Sequence, residues 1–196
     1  MRRSPSPSRT ELVAVLALAG AVACAGCGDD DSCGPGNAPA AGITLTVGAE
    51  TVTFGGFTAS ANNDCRLNPP PEGVVSVTVE ATQTGTTLPF TLCLPRPDLL
   101  GPDPVALVES RPTPLAEDRV AVVDTTAMLA GGCMVQKDVT MMPSGTARFL
   151  GYCDGGENPA GYALEISGTV PLVRTCGAAM DNVTGTLAGT VAVAIP

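Results

Sequence analysis

The chain has 196 residues, with 8 Cys, 23 Gly, 18 Pro, no His and no Trp, an aromatic content of 3% and a formal net charge of −9. Without histidine there is no imidazole metal ligand, no serine–histidine catalysis and no histidine pH switch. The acidic balance and the scarcity of aromatics exclude a phosphate-neutralising or base-stacking surface, so nucleic acid is not an expected partner.

The first element in chain order is an export signal. Arg2, Arg3 and Arg9 precede Leu12–Ala23, an unbroken run of Leu, Val, Ala and Gly. The run is shorter than the ~20 residues a bilayer span needs. Basic residues, a short apolar stretch and small residues after it are the parts of a secretory signal. The run ends in Ala23-Cys24-Ala25-Gly26-Cys27. A cysteine directly after small residues at this junction resembles the lipobox of bacterial lipoproteins. The resemblance covers the signal region alone and says nothing about the domain that follows.

What the resemblance implies is a covalent anchor. The signal would be cleaved ahead of the cysteine, which would carry fatty acyl chains such as palmitate. The chain would then be held on a bacterial envelope membrane without spanning it. Cys27, after Ala25-Gly26, is the expected lipidation site; Cys24, after Ala21-Val22-Ala23, is the alternative. Parity separates them. Anchoring at Cys27 discards Cys24 and leaves Cys33, Cys65, Cys93, Cys133, Cys153 and Cys176, an even set of the kind an oxidising compartment favours. Gly28, and not Asp, follows Cys27; by the sorting rule of enteric lipoproteins this implies the outer membrane. Losing residues 1–26 also removes three arginines and one acid. The mature surface is then too acidic for a basic membrane patch, and the lipid alone must hold it.

Residues 27–41 are expected to form the lipidated cysteine and a flexible acidic tether. Gly28–Ala41 is rich in Gly and Pro and cannot bury enough apolar area to fold. Asp29–Asp31 lack the spaced ligands and closing Glu of a calcium loop.

Residues 42–196 are expected to form a single disulfide-stapled β domain, because period-two patterning dominates them. Ile43-Leu45-Val47 alternates with threonines, and Gly48-Ala49-Glu50 turns into Thr51–Phe57. Val75-Val77-Val79 leads through a turn at Gln83–Thr86 into Leu88–Leu94, where Pro89 suggests an edge strand or a bulge. Leu94–Asp118 holds six prolines and reads as a stiff connection or an exposed binding loop. Val105–Val108 and Val120–Val123 within and after it are apolar on both faces and suit central strands. Val135–Met142 and Thr146–Cys153 flank Pro143-Ser144-Gly145, which reads as a hairpin turn. The last two strands carry Tyr162, Leu164, Ile166, Val170 and Leu172, then Val183, Leu187, Val191, Val193 and Ile195, on one parity. Gly168, Gly185 and Gly189 share that inward parity and mark bends where a sheet curls. No helix is expected after residue 42. The predicted fold is all-β: an antiparallel β-sandwich of about nine or ten strands, or alternatively a small curled β-barrel.

The six cysteines show no metal-ligand spacing and read as disulfide staples. In a hairpin centred on Pro143–Gly145, Cys133 and Cys153 face each other, so that pair is expected; Cys65–Cys93 and Cys33–Cys176 follow for the rest. Chemistry is harder to find, and no catalytic residue, cofactor or metal is expected. A Ser–Lys pair would have to use Lys137, the only lysine, which lies between Gln136 and Asp138 and is expected to face solvent. Asp154, Glu157 and Asn158 could form a calcium loop but read more simply as a turn. The sequence therefore points to a lipid-anchored envelope domain acting as a non-enzymatic binding or structural module, its partner an envelope protein or a small ligand. The alternatives are a carrier of an apolar ligand in a barrel cavity, or a His-free hydrolase using carboxylates.

Overall fold

The computed structural model describes residues 40–62, 76–97, 100, 103–109, 119–152 and 161–194. They form ten strands and, among the described residues, no helix: β1 (Gly42–Val47), β2 (Glu50–Asn62), β3 (Ser76–Gln83), β4 (Pro89–Leu94), β5 (Val105–Glu109), β6 (Val120–Met128), β7 (Met134–Lys137), β8 (Ser144–Tyr152), β9 (Gly161–Cys176) and β10 (Ala179–Ala194).

All ten belong to one hydrogen-bonded sheet in the order β10-β1-β2-β3-β4-β6-β5-β8-β9-β7, with further pairings of β10 to β9 and of β6 to β7. The sheet thus curls until β10 meets β9, and the pairings form a ring. Alternation decides what faces inward. Ile43, Leu45 and Val47 of β1, Val77, Val79 and Ala81 of β3, and Leu187, Val191 and Val193 of β10 are buried in a single apolar core. The threonines of β1 take the outer side, where Thr44 Oγ1 donates to Ala188 O at 2.9 Å. Phe54 and Phe90 meet in the core with ring centroids 5.2 Å apart. Each fully buried side chain of this size is worth about 1.5–3 kcal/mol, which fixes the register of every strand with an apolar inner face.

The inward glycines have two different causes. At Gly185, an added Cβ would lie 2.5 Å from Leu45 Cδ1 and 2.8 Å from Leu172 Cδ1, so two leucines occupy the space a side chain would take. At Gly189, which has φ 143°, an added Cβ would lie 2.0 Å from the backbone oxygen of Gly42. There the first and last strands are pressed together, and only glycine allows it.

Two expectations need correction. Ten of the paired ladders are antiparallel, but β5 runs parallel to β6, from Leu107↔Val120 to Glu109↔Val122. A parallel neighbour needs a crossover connection, and the proline-rich interval between these strands supplies it in sequence; residues 110–118 lie outside the described residues. Pro89, in turn, stands at neither an edge nor a bulge: it is the first residue of a strand held between β3 and β6. Where β4 has not yet begun, the Gln83 side chain acts in its place. Its Nε2 donates to Met128 O at 2.8 Å and its Oε1 accepts from Met128 N at 2.7 Å.

The expected hairpin of β7 and β8 does not form. Both strands pair with β9 instead: Met134↔Thr175 to Lys137↔Leu172 for β7, and Ser144↔Thr169 to Tyr152↔Tyr162 for β8. They follow one another along a single edge of β9, and Asp138–Pro143 is an insertion between them. Pro171 sits on β9 opposite this insertion. Its carbonyl accepts from Asp138 N at 2.9 Å, and its missing N–H falls where no partner strand requires it.

Candidate functional site

The deepest polar feature is built where two strands end. On β5 the inward positions are Leu107 and Glu109; on β7 they are Val135 and Lys137. β5 follows one edge of β6 as far as Val122, and β7 follows that edge from Met128 back to Thr126. The two strands therefore end facing each other. Between them β6 carries a bulge, since Leu92 pairs with Val122 while Thr91 pairs with Asp124, leaving Val123 as the extra residue. The bulge flips the parity of β6, so Val120 and Val122 face inward before it, and Thr125 and Ala127 after it.

The gap is filled by an ion pair. Lys137 Nζ lies 2.6 Å from Glu109 Oε1, with side-chain exposures of 2% and 3%. Nζ also approaches the carbonyl of the bulged Val123 at 3.4 Å. Thr125, fully buried next to it, has a hydroxyl with no hydrogen-bond partner among the described residues. This overturns the expectation that Lys137 faces solvent. The inward parity of Val135 carries Lys137 with it, and its neighbours Gln136 and Asp138 take the outer side. Sequence reasoning missed Glu109 altogether, because the apolar run Val105–Val108 stops one residue short of it. Chemically, the pair neutralises two buried charges and sheathes the amine. A buried amine held by a carboxylate is not available to a solvent-borne substrate.

Charged groups elsewhere are surface features. Arg174 and Asp181, paired across β9 and β10, form a bidentate ion pair: Nε to Oδ1 at 3.0 Å and a terminal nitrogen to Oδ2 at 2.6 Å. The hydrogen bond from Arg174 holds the Asp181 carboxyl below its ordinary value. The same bond raises Arg174, with Glu50 adding a smaller attraction. Glu50 also accepts from Gly131 N at 2.9 Å. Asp138 is lowered by two bonds from Thr140, hydroxyl first and backbone N–H second. Among the described residues no group of three or more His, Cys, Asp or Glu is placed to hold a metal ion.

The disulfide pairing is corrected. Cys133 bonds to Cys176, with a Cα–Cα distance of 4.5 Å. Continuing the β7–β9 register one residue beyond Met134↔Thr175 brings these two opposite each other. The Cys133–Cys153 and Cys33–Cys176 pairs are thereby excluded. The error has a physical origin: a Pro-Ser-Gly turn signal does not tell a chain reversal from an insertion between two consecutive strands on one partner. Cys93 is also disulfide-bonded and fully buried. Cys24, Cys27, Cys33, Cys65 and Cys153 lie outside the described residues, so the Cys65–Cys93 expectation does too. Asp154, Glu157 and Asn158 likewise lie outside them.

Comparison with protein-family models, with curated proteins and with solved structures finds no match to this chain in any of the three.

Proposed function

We propose that this protein is a lipid-anchored β domain of the bacterial cell envelope, tethered through Cys27 by residues 28–41 and acting as a non-enzymatic binding or structural module. The observation that carries the non-enzymatic part is the use of Lys137 and Glu109. The chain's only lysine and the one buried acid among the described residues are spent on each other. A carboxylate hydrolase would need its acids to converge in an open cleft; Glu109 faces an amine inside the wall instead. Against the carrier alternative, Leu45 and Leu172 take the space over Gly185. The anchor rests on the junction Ala23–Cys27, and the outer-membrane assignment on Gly28.

Labelling of the full chain with a fatty acid in a bacterial host tests the anchor. The wild type is expected to incorporate label and to fractionate with the outer membrane, and Cys27→Ala to lose both. Undiminished labelling of Cys27→Ala would move the anchor to Cys24. An unlabelled, soluble wild-type product would end the lipoprotein reading.

A further inference from the structure

The chain's only lysine is buried against a carboxyl group. Lys137 Nζ and Glu109 Oε1 lie 2.6 Å apart, with side-chain exposures of 2% and 3%, although the residues stand 28 positions apart in sequence. The walls around them are apolar. Val122, opposite Glu109, and Leu172, opposite Lys137, are fully buried. An amine and a carboxyl group are therefore held together in a place that excludes water.

A buried ion pair repays the removal of its charges from water only with good geometry and further hydrogen bonds. Beyond Glu109, Nζ has a long contact of 3.4 Å to Val123 O. Thr125 takes the position opposite Lys137, one residue beyond Thr126↔Gln136. Its hydroxyl is buried and has no hydrogen-bond partner among the described residues.

We propose that Lys137 and Glu109 condense to an intramolecular amide that joins the ends of β5 and β7 covalently. The proton shared across the contact moves to the carboxylate, which leaves a neutral amine and a carboxylic acid, the forms that cost less to bury. The Nζ lone pair attacks Cδ, and the N–C bond forms. The tetrahedral centre then breaks its bond to one carboxyl oxygen, which leaves as water with a proton from the nitrogen. The step needs no oxidant, reductant or activated co-reactant. The Thr125 hydroxyl is the donor beside the reacting groups for the oxygen on which charge collects. Well-oriented neighbours react with effective molarities of about 10⁵–10⁸ M, and the apolar walls keep out the water that would reverse the step. Chains not yet linked keep the ion pair described above, so freshly folded and aged protein differ. Linked, the four-residue strand β7 is stapled at both ends, by the amide at Lys137 and by the disulfide at Cys133. The amide, unlike the disulfide, survives reduction. It requires no lipid anchor and stands apart from the lipoprotein reading.

The single lysine supplies the test. The full chain is held folded at neutral pH, sampled over days, then denatured, reduced, alkylated and digested with a lysine-specific protease. An amide-linked lysine is not a cleavage site. The fraction uncut at Lys137 is expected to grow with age. A second digestion with an unrelated protease is expected to yield one branched peptide holding Lys137 and Glu109, lighter by one water than its two parts. Complete cleavage at Lys137 at every age, with the Glu109 peptide at its unmodified mass, would overturn the amide. So would a branch from Lys137 to any other acid. Lys137→Arg keeps a cation opposite Glu109 without the nucleophilic amine, and its Glu109 peptide is expected at full mass. Loss of water from Glu109 in that variant would also overturn the proposal.

Discussion

Lys137 and Glu109 meet because β5 and β7, on one edge of β6, end facing each other across a bulge. Their contact is thus a splice in the wall. Removing one partner of a buried pair leaves an uncompensated charge and costs about 3–5 kcal/mol, whereas replacing both by apolar groups is often close to neutral. Lys137→Met alone is expected to show a loss of that size in urea denaturation. Lys137→Met combined with Glu109→Leu is expected to recover most of it. A double variant no more stable than the single would show that the two residues are not coupled.

The disulfide between Cys133 and Cys176 closes a loop with a sequence separation of 43. The chain-entropy treatment gives a loop of that length about 4 kcal/mol of stabilisation. Non-reducing peptide mapping is expected to recover these two cysteines in one linked pair of peptides. Cys133→Ala with Cys176→Ala is expected to lower the unfolding free energy by about 2–4 kcal/mol. A Cys133–Cys153 linkage in the map would contradict the β7–β9 register.

The glycines of β10 should respond unequally to alanine. At Gly185 the new methyl group meets two leucine side-chain ends, an overpacking worth about 1–3 kcal/mol. At Gly189 it meets the backbone oxygen of Gly42 at a positive φ, with no side chain able to yield. Gly189→Ala is therefore expected to be the more damaging, and thermal unfolding of the two variants checks the order.

Acid should weaken the end of the β9–β10 hairpin. The carboxyl of Asp181 is held below its ordinary 3.8 by Arg174. A lowered folded-state pKa means that the unfolded chain binds the proton first. The contribution is thus complete above 3.8 and is lost as pH falls through the folded value. Asp181→Asn is expected to flatten part of the acid limb of a stability–pH curve and to leave its neutral region almost unchanged, since exposed pairs contribute little.

Much of the fold was legible because one inner face repeats every second residue. Ile43-Leu45-Val47 and Leu164-Ile166 with Val170-Leu172 announce their strands and their inward parity without help. The inward glycines were legible as places of unusual contact, though not as two kinds of contact. What sequence could not supply was partnership between distant segments. Nothing local distinguishes β7 and β8 as consecutive strands on β9; Pro171, many residues later, is the trace of the break between them. The parity change in β6 depends on Val123 being passed over by β4. The ion pair was hidden for the same reason, since Lys137 is polar among polar neighbours until Glu109 arrives from the far side of a proline-rich interval.

The seam between β1 and β10 has a kinetic consequence. Gly42 pairs with Thr190, so one edge of β1 gains its partner only after the other strands have left the ribosome. Until then β1 presents an unpaired edge, the feature of a sheet most prone to join another chain. Loop-closure entropy also makes so long-range a pairing slow to form. A partly emerged chain is therefore at its most vulnerable along this edge of β1. Tethering each copy to a membrane would keep neighbouring edges apart during that interval.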